Sequence, residues 1–227
     1  MGIFQYVRDA WERRNMPMFT VPERLMSPAL APELMLRPLR YSDEDEWMRV
    51  HEANAQWLAP WESEDPLHGP GLTFAQWIRM LRRGEREGTG VVFGMFQQGR
   101  LIGQISLGAI SYGSMREGIV GYWIDRNHAG RGLTPLAVCI VADWALFYET
   151  GPLLHRLEID IVPSNQRSQS VAHKVGAIYE GVRRQYMYIR GEWKGHECYS
   201  LISSDAPGGF TARLLGDTRG EKSHMLS

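Results

Sequence analysis

The spacing of apolar residues divides the first half of the chain into strands and helices. Alternation over Glu33–Arg40 predicts a strand, and a helical stretch runs from Asp43 toward Pro60. A second helix is predicted over Thr73–Glu87, with Thr73 as its N-cap. Three strands with a hairpin turn between the first two are expected next, over Val91–Gln97, Arg100–Ile110 and Glu117–Asp125, the turn lying at Gln98 and Gly99.

The second half of the chain alternates helix and strand. Apolar residues recur every three or four positions over Leu133–Tyr148, which predicts a core helix. The elements expected after it are a strand over His155–Pro163, a short helix over Ser164–Val175 that ends at Gly176, and two antiparallel strands that turn at Gly191. This order of elements predicts an α+β domain built around one sheet.

Composition along the chain separates three segments. Residues 1–32 are interpreted as an N-terminal appendage, because a helical patch over Phe4–Asn15 is followed by four prolines that cannot sustain regular structure. Residues 33–205 form the expected domain. Residues 206–227 have a polar, turn-rich composition and are predicted to be a flexible C-terminal tail.

Bulk properties exclude several classes of protein. A formal net charge of −1 gives no overall field to hold nucleic acid. The longest apolar stretch, Leu136–Tyr148, contains Asp143 and is shorter than the roughly 20 residues that cross a bilayer. Cys139 and Cys198 form neither a disulfide framework nor a metal-binding spacing. A cytoplasmic protein that needs no metal and binds no membrane is therefore expected.

The most informative stretch is GYWIDRNHAGRGLTPLAV, over Gly121–Val138, which is typical of a strand, a glycine turn and a helix. Gly130 and Gly132 allow close approach of a ligand to the main chain. Thr134 is expected as the N-cap, with Pro135 at the first helical position. Free amides at a helix start suit a pyrophosphate, although an ordinary turn between strand and helix would have the same pattern.

Several motifs taken together resemble one enzyme family. They are LRPLR, WLAPW, GYWID followed by AGRGLTPLA, RLEIDIVPSNQRSQSVAHKVGA, and EGVRRQYMYIRGEW. The chain resembles the GNAT acyltransferases over about Leu36–Asp205, and within them the RimJ/RimL-like N-terminal acetyltransferases of ribosomal proteins. The resemblance implies a single mixed, largely antiparallel sheet flanked by helices, a central splayed strand pair, and acetyl-CoA as the donor.

The resemblance also assigns donor-site roles. Ala129–Thr134 would hold the pyrophosphate, although Ala129 and Thr134 depart from the family's pattern at its two ends. Asn165 would bond the pantetheine and Ser168 would assist the departing thiolate, whereas both could instead serve only the short helix. The expected coenzyme-binding residues are Trp123, Ile124, Asp125, Ala129, Gly130, Arg131, Gly132, Leu133, Thr134, Asn165, Ser168 and Lys174, of which the last could equally lie on a solvated helix face.

The general base is the weakest part of the resemblance. Related enzymes carry a glutamate where this chain has Met187, and Gly195 stands where relatives commonly have aspartate. Glu117 is the first candidate for a base, which gives Ser168, Asn165 and Glu117 as the expected catalytic residues. Further candidates are Glu158, Asp160 and His196, each of which is more often a surface or hydrogen-bonding residue.

The acceptor side is expected among aromatic and acidic residues. Trp57, Trp61 and Trp77 would line a groove, and Glu62, Glu64 and Asp65 would attract a basic peptide. Core packing and a solvated turn explain these residues as well. The predicted activity is acetylation of the α-amine of a protein, with ribosomal proteins as candidate acceptors, by a monomer or homodimer. The alternatives are a small-molecule amine or lysine acetyltransferase and a non-catalytic coenzyme-binding module.

Overall fold

A computed structural model describes residues 18–67 and 71–216, which are arranged around one eight-stranded sheet. The strands are β1 (Leu25–Met26), β2 (Met35–Pro38), β3 (Val91–Gln97), β4 (Arg100–Ser111), β5 (Glu117–Ile124), β6 (Arg156–Ile161), β7 (Ile178–Ile189) and β8 (Glu192–Ile202). The helices are α1 (Glu44–Ala53), α2 (Ala55–Leu58), α3 (Phe74–Glu87), α4 (Leu133–Phe147), α5 (Gln166–Lys174) and α6 (210–216). The strand order is β1-β2-β3-β4-β5-β6-β8-β7.

The centre of the sheet contains a strand pair that separates. β5 and β6 are parallel, and they pair only from Glu117 to Ile119 and from Arg156 to Glu158. The other neighbouring strands pair in antiparallel fashion. Beyond Ile119, one edge of β5 has no strand partner, although its other edge remains paired with β4. The mixed α+β sheet with its splayed pair is confirmed.

The two faces of the sheet are covered by different helices. Val91 and Phe93 of β3 pack in the large core cluster with α4, whereas Val92 between them packs with Phe74 and Ile78 of α3. Successive strand residues point to opposite faces, so α4 lies on one face and α3 on the other. Because α4 is apolar all round, it is buried along nearly its whole length.

Most of the predicted elements are confirmed. Thr73 is the N-cap of α3 and accepts a hydrogen bond from the main-chain N–H of Gln76. Gln98 and Gly99 form the β3–β4 turn with φ of 50° and 74°. The helix expected from Asp43 toward Pro60 is divided at Asn54, whose backbone leaves the helical conformation between α1 and α2.

The segments flanking the predicted domain contact its core where they are described. Phe19 is buried and packs edge to face on Trp144, with ring centroids 5.5 Å apart. At the other end, Asp143 within α4 accepts hydrogen bonds from the main-chain N–H groups of Phe210 and Thr211. This buried carboxylate binds the start of α6 to the core, and residues 210–216 form a helix where a flexible tail was predicted. The helical patch over Phe4–Asn15 and residues 217–227 lie outside the described residues.

Within residues 18–67 and 71–216, no helix is both long enough and apolar enough to cross a membrane.

Candidate active site

A cavity of about 550 Å³ lies beside the separated part of β5. Tyr122, Trp123 and Ile124 line it from the strand. The α4–α5 wall of the cavity comprises His128, Ala129, Gly130, Gly132, Leu133, Thr134, Pro135, Asn165, Arg167, Ser168, Ser170, Val171 and Lys174. The α2 wall comprises Trp57, Leu58, Trp61 and Glu62.

The turn before α4 presents main chain to the cavity. Gly130 and Gly132 have φ of 78° and 76°, a left-handed conformation that glycine adopts without penalty. A Cβ at either position would meet no heavy atom within 4 Å, so the space in front of the turn is open. No side chain caps the start of α4, and its free amides therefore suit an anionic group such as a pyrophosphate.

The start of α4 corrects one prediction. Gly132, not Thr134, is the N-cap, and the helix begins at Leu133. Pro135 consequently occupies the third helical position rather than the first. The left-handed conformation of Gly132 lets the chain enter the helix two residues earlier than expected. Thr134 lines the cavity instead of capping the helix.

Not every expected donor-site residue lies in the cavity. Arg131 is exposed and is absent from the lining, whereas Lys174 lines the cavity. Asp125 also lies outside the lining, and its main-chain N–H donates to the carbonyl of Ile102 across the sheet. Burial opposes ionisation of Asp125, but hydrogen bonds from the Asn127 main chain, Asn54 and His128 hold its pKa below the usual range. Asp125 therefore organises the segment before the glycine turn.

A pair of hydroxyl groups lies where α5 meets β5. Asn165 is the N-cap of α5 and accepts from the main-chain N–H of Ser168 at 3.1 Å. The Oγ atom of Ser168 lies 2.7 Å from the Oη atom of Tyr122, and both residues line the cavity. Burial raises the pKa of Tyr122, against the effect of its hydrogen bond with Ser168. The phenol therefore stays protonated, and its hydroxyl is in hydrogen-bond contact with Ser168.

Tyr122 was not predicted from the sequence as a site residue. Strand alternation is the signal that could have found it, because Tyr122 and Trp123 are neighbours on a strand and must point to opposite faces. Tyr122 reaches Ser168 on the α4–α5 face. Trp123 instead contacts the rings of Trp47 and His51 from α1.

The α2 wall is aromatic with one carboxylate. The guanidinium of Arg167 lies 4.2 Å from the centroid of the Trp57 ring and connects α5 to this wall. Trp61 and Glu62 complete the wall. Trp77 lies outside the lining and packs with Trp47 and Phe74 under α1.

Comparison with known proteins decides the family. Residues 33–178 match the acetyltransferase (GNAT) domain family. The chain belongs to this family. The acetyltransferase is 29% identical over 179 residues to the probable N-acetyltransferase YjcK of Bacillus subtilis, covering 76% of this chain and 95% of that protein. It is 26% identical to the [ribosomal protein uS5]-alanine N-acetyltransferase of Escherichia coli, covering 72% of this chain and 85% of the relative.

A solved structure extends the match to the whole fold. Mycobacterium smegmatis RimJ in complex with CoA-disulfide superposes with a TM-score of 0.75 at 27% identity, over 86% of this chain and 93% of that one. The protein is therefore an acetyl-CoA-dependent N-acetyltransferase of the RimJ/RimL type. The open glycine turn, the uncapped start of α4 and the unpaired edge of β5 fit a coenzyme with an anionic pyrophosphate and a hydrogen-bonding arm.

The expected general bases lie outside the cavity lining. Glu117 is at the paired end of β5, with an oxygen 3.5 Å from Nε of Arg156. Arg156 also binds Glu158 at 3.0 Å and Glu180, whose pKa is lowered to about 2 chiefly by hydrogen bonding to this arginine. The position of Glu117 favours a structural ion pair over contact with the acetyl group.

Asp160 continues this buried network toward β7. Its side chain is fully buried, and Nη1 of Arg183 lies 3.5 Å from one oxygen. Burial and then the negative charge of Glu158 raise the pKa of Asp160 to about 6. Both carboxylates, with Cys198, lie close enough together to hold a metal ion, but Arg156 and Arg183 already bind Glu158. These arginines make the cluster an ion-pair network.

The β7–β8 hairpin carries the other departures from the resemblance. Met187 pairs with Lys194 after a bulge in which Gln185 has a φ of 47°, and Met187 does not line the cavity. His196 is buried, and its burial lowers its pKa. Its ring packs against that of Tyr186 with centroids 5.7 Å apart, which is a packing role.

Proposed function

We propose that the acetyltransferase transfers acetyl from acetyl-CoA to the N-terminal α-amine of a protein, with ribosomal proteins as the acceptor class. The E. coli relative is named for an alanine of ribosomal protein uS5. The observation that carries the proposal is the cavity itself, in which an aromatic wall with one described carboxylate, Glu62, meets a wall of helix amides. Ribosomal acceptors and two buried, unpaired cysteines fit a cytoplasmic enzyme.

The donor half of the reaction follows from named groups. The turn over Ala129–Thr134 and the start of α4 hold the pyrophosphate through main-chain amides. The unpaired edge of β5 beside Trp123 and Ile124 binds the pantetheine and polarises the thioester carbonyl. Ser168, in contact with Tyr122, donates a proton to the leaving thiolate. Glu117 has no part in this proposal.

The acceptor assignment rests on protonation. An α-amine has a pKa near ~8 and a lysine side chain near ~10.4, and only the neutral amine attacks the thioester. At pH 7 the free energy needed to deprotonate the α-amine is therefore lower than that for the lysine side chain by about 3 kcal/mol. The four expected bases, Glu117, Glu158, Asp160 and His196, do not line the cavity. The amine that loses its proton more easily is the better acceptor whichever group takes that proton.

A peptide panel tests the acceptor class. Matched peptides with free and blocked N-termini, each containing one lysine, are incubated with enzyme and acetyl-CoA at pH 7 and analysed by mass spectrometry. We expect acetylation of the free N-terminus and little modification of the blocked peptide. Efficient lysine acetylation in the blocked peptide, or transfer only to a small primary amine included in the panel, would overturn the proposal.

A further inference from the structure

A histidine–carboxylate pair lies at the edge of the α2 wall. Nε2 of His51 is 2.7 Å from Oε1 of Glu62, and the two side chains are 27% and 44% exposed. Glu62 is the one carboxylate among the described residues that line the cavity. Glu62 therefore lines the cavity while its carboxylate is hydrogen-bonded to His51.

The other two acidic residues of this segment have different contacts. Glu64 accepts a hydrogen bond from the main-chain N–H of Gly191 at 3.0 Å, and its own N–H donates to the carbonyl of Tyr188. Asp65 accepts from the main-chain N–H of Leu67. Neither lines the cavity, so the expected acidic lip is reduced to Glu62.

Aromatic packing fixes His51 against the strand that lines the cavity. The His51 ring lies parallel to that of Trp47, with centroids 4.6 Å apart and an interplanar angle of 8°. The ring of Trp123 contacts it edge-on at 5.6 Å. Trp123 lies next to Ile124 on the unpaired edge of β5, so His51, with Glu62 hydrogen-bonded to it, is held beside the strand proposed to bind the thioester.

Charge is divided between the two walls of the cavity. The basic residues of the lining, His128, Arg167 and Lys174, all belong to the α4–α5 wall, where phosphates are expected, although the guanidinium of Arg167 reaches across to Trp57. Glu62 is on the other wall. A cationic amine and an anionic coenzyme are thus attracted to different sides of one cavity.

We propose that Glu62 binds the acceptor ammonium and takes its first proton, with His51 as the residue that positions Glu62. This inference rests on the proposed transfer to an amine. The neutral nitrogen then forms a bond to the acetyl carbonyl carbon and the carbon–sulfur bond breaks. The thiolate takes a proton from Ser168, which the second nitrogen proton restores by way of water, and Glu62 releases the first proton to water.

The test compares Glu62→Gln with the parent enzyme on whichever amine the peptide panel shows to be acetylated. Glutamine keeps the size of the side chain but removes its charge. We expect kcat/KM for the amine to fall by about 100-fold, within the range for loss of a general base, while the Kd for acetyl-CoA is unchanged. Glu52→Gln is the matched control, because Glu52 is an exposed carboxylate next to His51 that does not line the cavity.

A second acceptor separates charge recognition from a structural effect. A peptide with an aminooxy group in place of its α-amine is uncharged at pH 7, and Glu62→Gln should affect its acetylation little. Equal losses with both acceptors would overturn the proposal, as would an unchanged kcat/KM for the cationic amine. The cationic amine in this comparison is one that the peptide panel has already shown to be acetylated. Failure of the α-amine assignment in the panel is therefore a separate result from failure of the role proposed for Glu62.

The positioning role of His51 is tested through His51→Phe. Phenylalanine retains a ring to stack on Trp47 but cannot hydrogen-bond Glu62. We expect about a fivefold loss of kcat/KM in the parent background and no further loss in Glu62→Gln, because the two residues act as one unit. Equal losses in both backgrounds would show that His51 serves packing alone.

Discussion

The two walls of the cavity are suited to their ligands by different kinds of chemical group. The α4–α5 wall offers main-chain amides at the glycine turn and at the start of α4, together with the hydroxyl of Ser168. The α2 wall offers side chains, which are those of Trp57, Leu58, Trp61 and Glu62. Backbone recognition tolerates changes of side chain, as at Ala129 and Thr134, whereas recognition by one carboxylate depends on that residue. The difference fits a donor common to the family and an acceptor that varies among its members.

One buried side chain connects the two regions. Asn54, between α1 and α2, donates to the carboxylate of Asp125 at 3.1 Å and accepts from the main-chain N–H of Arg126 at 3.0 Å. Asp125 and Arg126 begin the segment that leads to the glycine turn. The position of the α2 wall relative to that turn is therefore set by hydrogen bonds as well as by packing.

On the donor side of the cavity, the largest effect is expected when backbone recognition of the pyrophosphate is removed. In Gly132→Val, a β-branched residue must adopt a φ near 76°, so the turn will rearrange. We expect the Kd for acetyl-CoA to rise by about 100-fold, equivalent to about 3 kcal/mol, as measured by calorimetry.

Gly99→Val is the control for strain alone. Gly99 has a φ of 74° and open surroundings like those of Gly132, but it lies in the β3–β4 turn. We expect both variants to lose about 1–2 kcal/mol of folding stability and only Gly132→Val to lose affinity. Parental affinity in Gly132→Val would exclude this turn as the pyrophosphate site.

A smaller effect is expected at the hydroxyl pair. Ser168→Ala should lower kcat by about tenfold and leave the Kd for acetyl-CoA nearly unchanged, since assistance to the thiolate acts in the transition state. Tyr122→Phe should lower kcat by a similar factor, and the double variant should be no worse than either one if the two hydroxyls form one path. Parental turnover in Ser168→Ala would limit Ser168 to a role in α5.

The smallest effect on catalysis is expected at Asp160, which lies outside the cavity lining. Its folded-state pKa of about 6 exceeds the unfolded value of 3.8, so the folded state holds this proton more tightly. The contribution of Asp160 to stability is therefore fully present below pH 3.8 and is lost as pH rises to 6. Asp160→Asn should gain stability relative to the parent across this range, with unchanged turnover at pH 7.

Denaturant unfolding of parent and variant at several pH values measures this difference. Glu180 titrates at lower pH and is common to both proteins, so it cancels in the comparison. A stability difference that does not vary between pH 4 and pH 7 would contradict the raised pKa of Asp160.

The sequence could predict much of the fold because the relevant signals are local. The periodicity of Leu133–Phe147, the cap at Thr73 and the turn at Gln98 and Gly99 each depend on neighbouring residues. The predicted start of α4 was two residues too late, because Thr134 and Pro135 are a common N-cap and first helical residue. The left-handed conformation of Gly132 instead allows the helix to begin at Leu133. The polar composition after Asp205 did not predict α6, because the start of this helix is stabilised by a hydrogen bond to Asp143, 67 residues earlier in the chain.

The sequence alone determined the order of the elements from β2 to β8, the glycine turn and the presence of Asn165 and Ser168 at the start of a helix. These features follow from backbone preferences over a few residues. Only the tertiary structure decided where β5 and β6 separate, which carboxylates reach the cavity, and which partners Ser168 and Glu62 have. Tyr122 and Ser168 are 46 residues apart, and His51 and Glu62 are 11 apart. Such contacts arise when strands pair and helices pack. Periodicity along the chain does not show which residues far apart in sequence will meet.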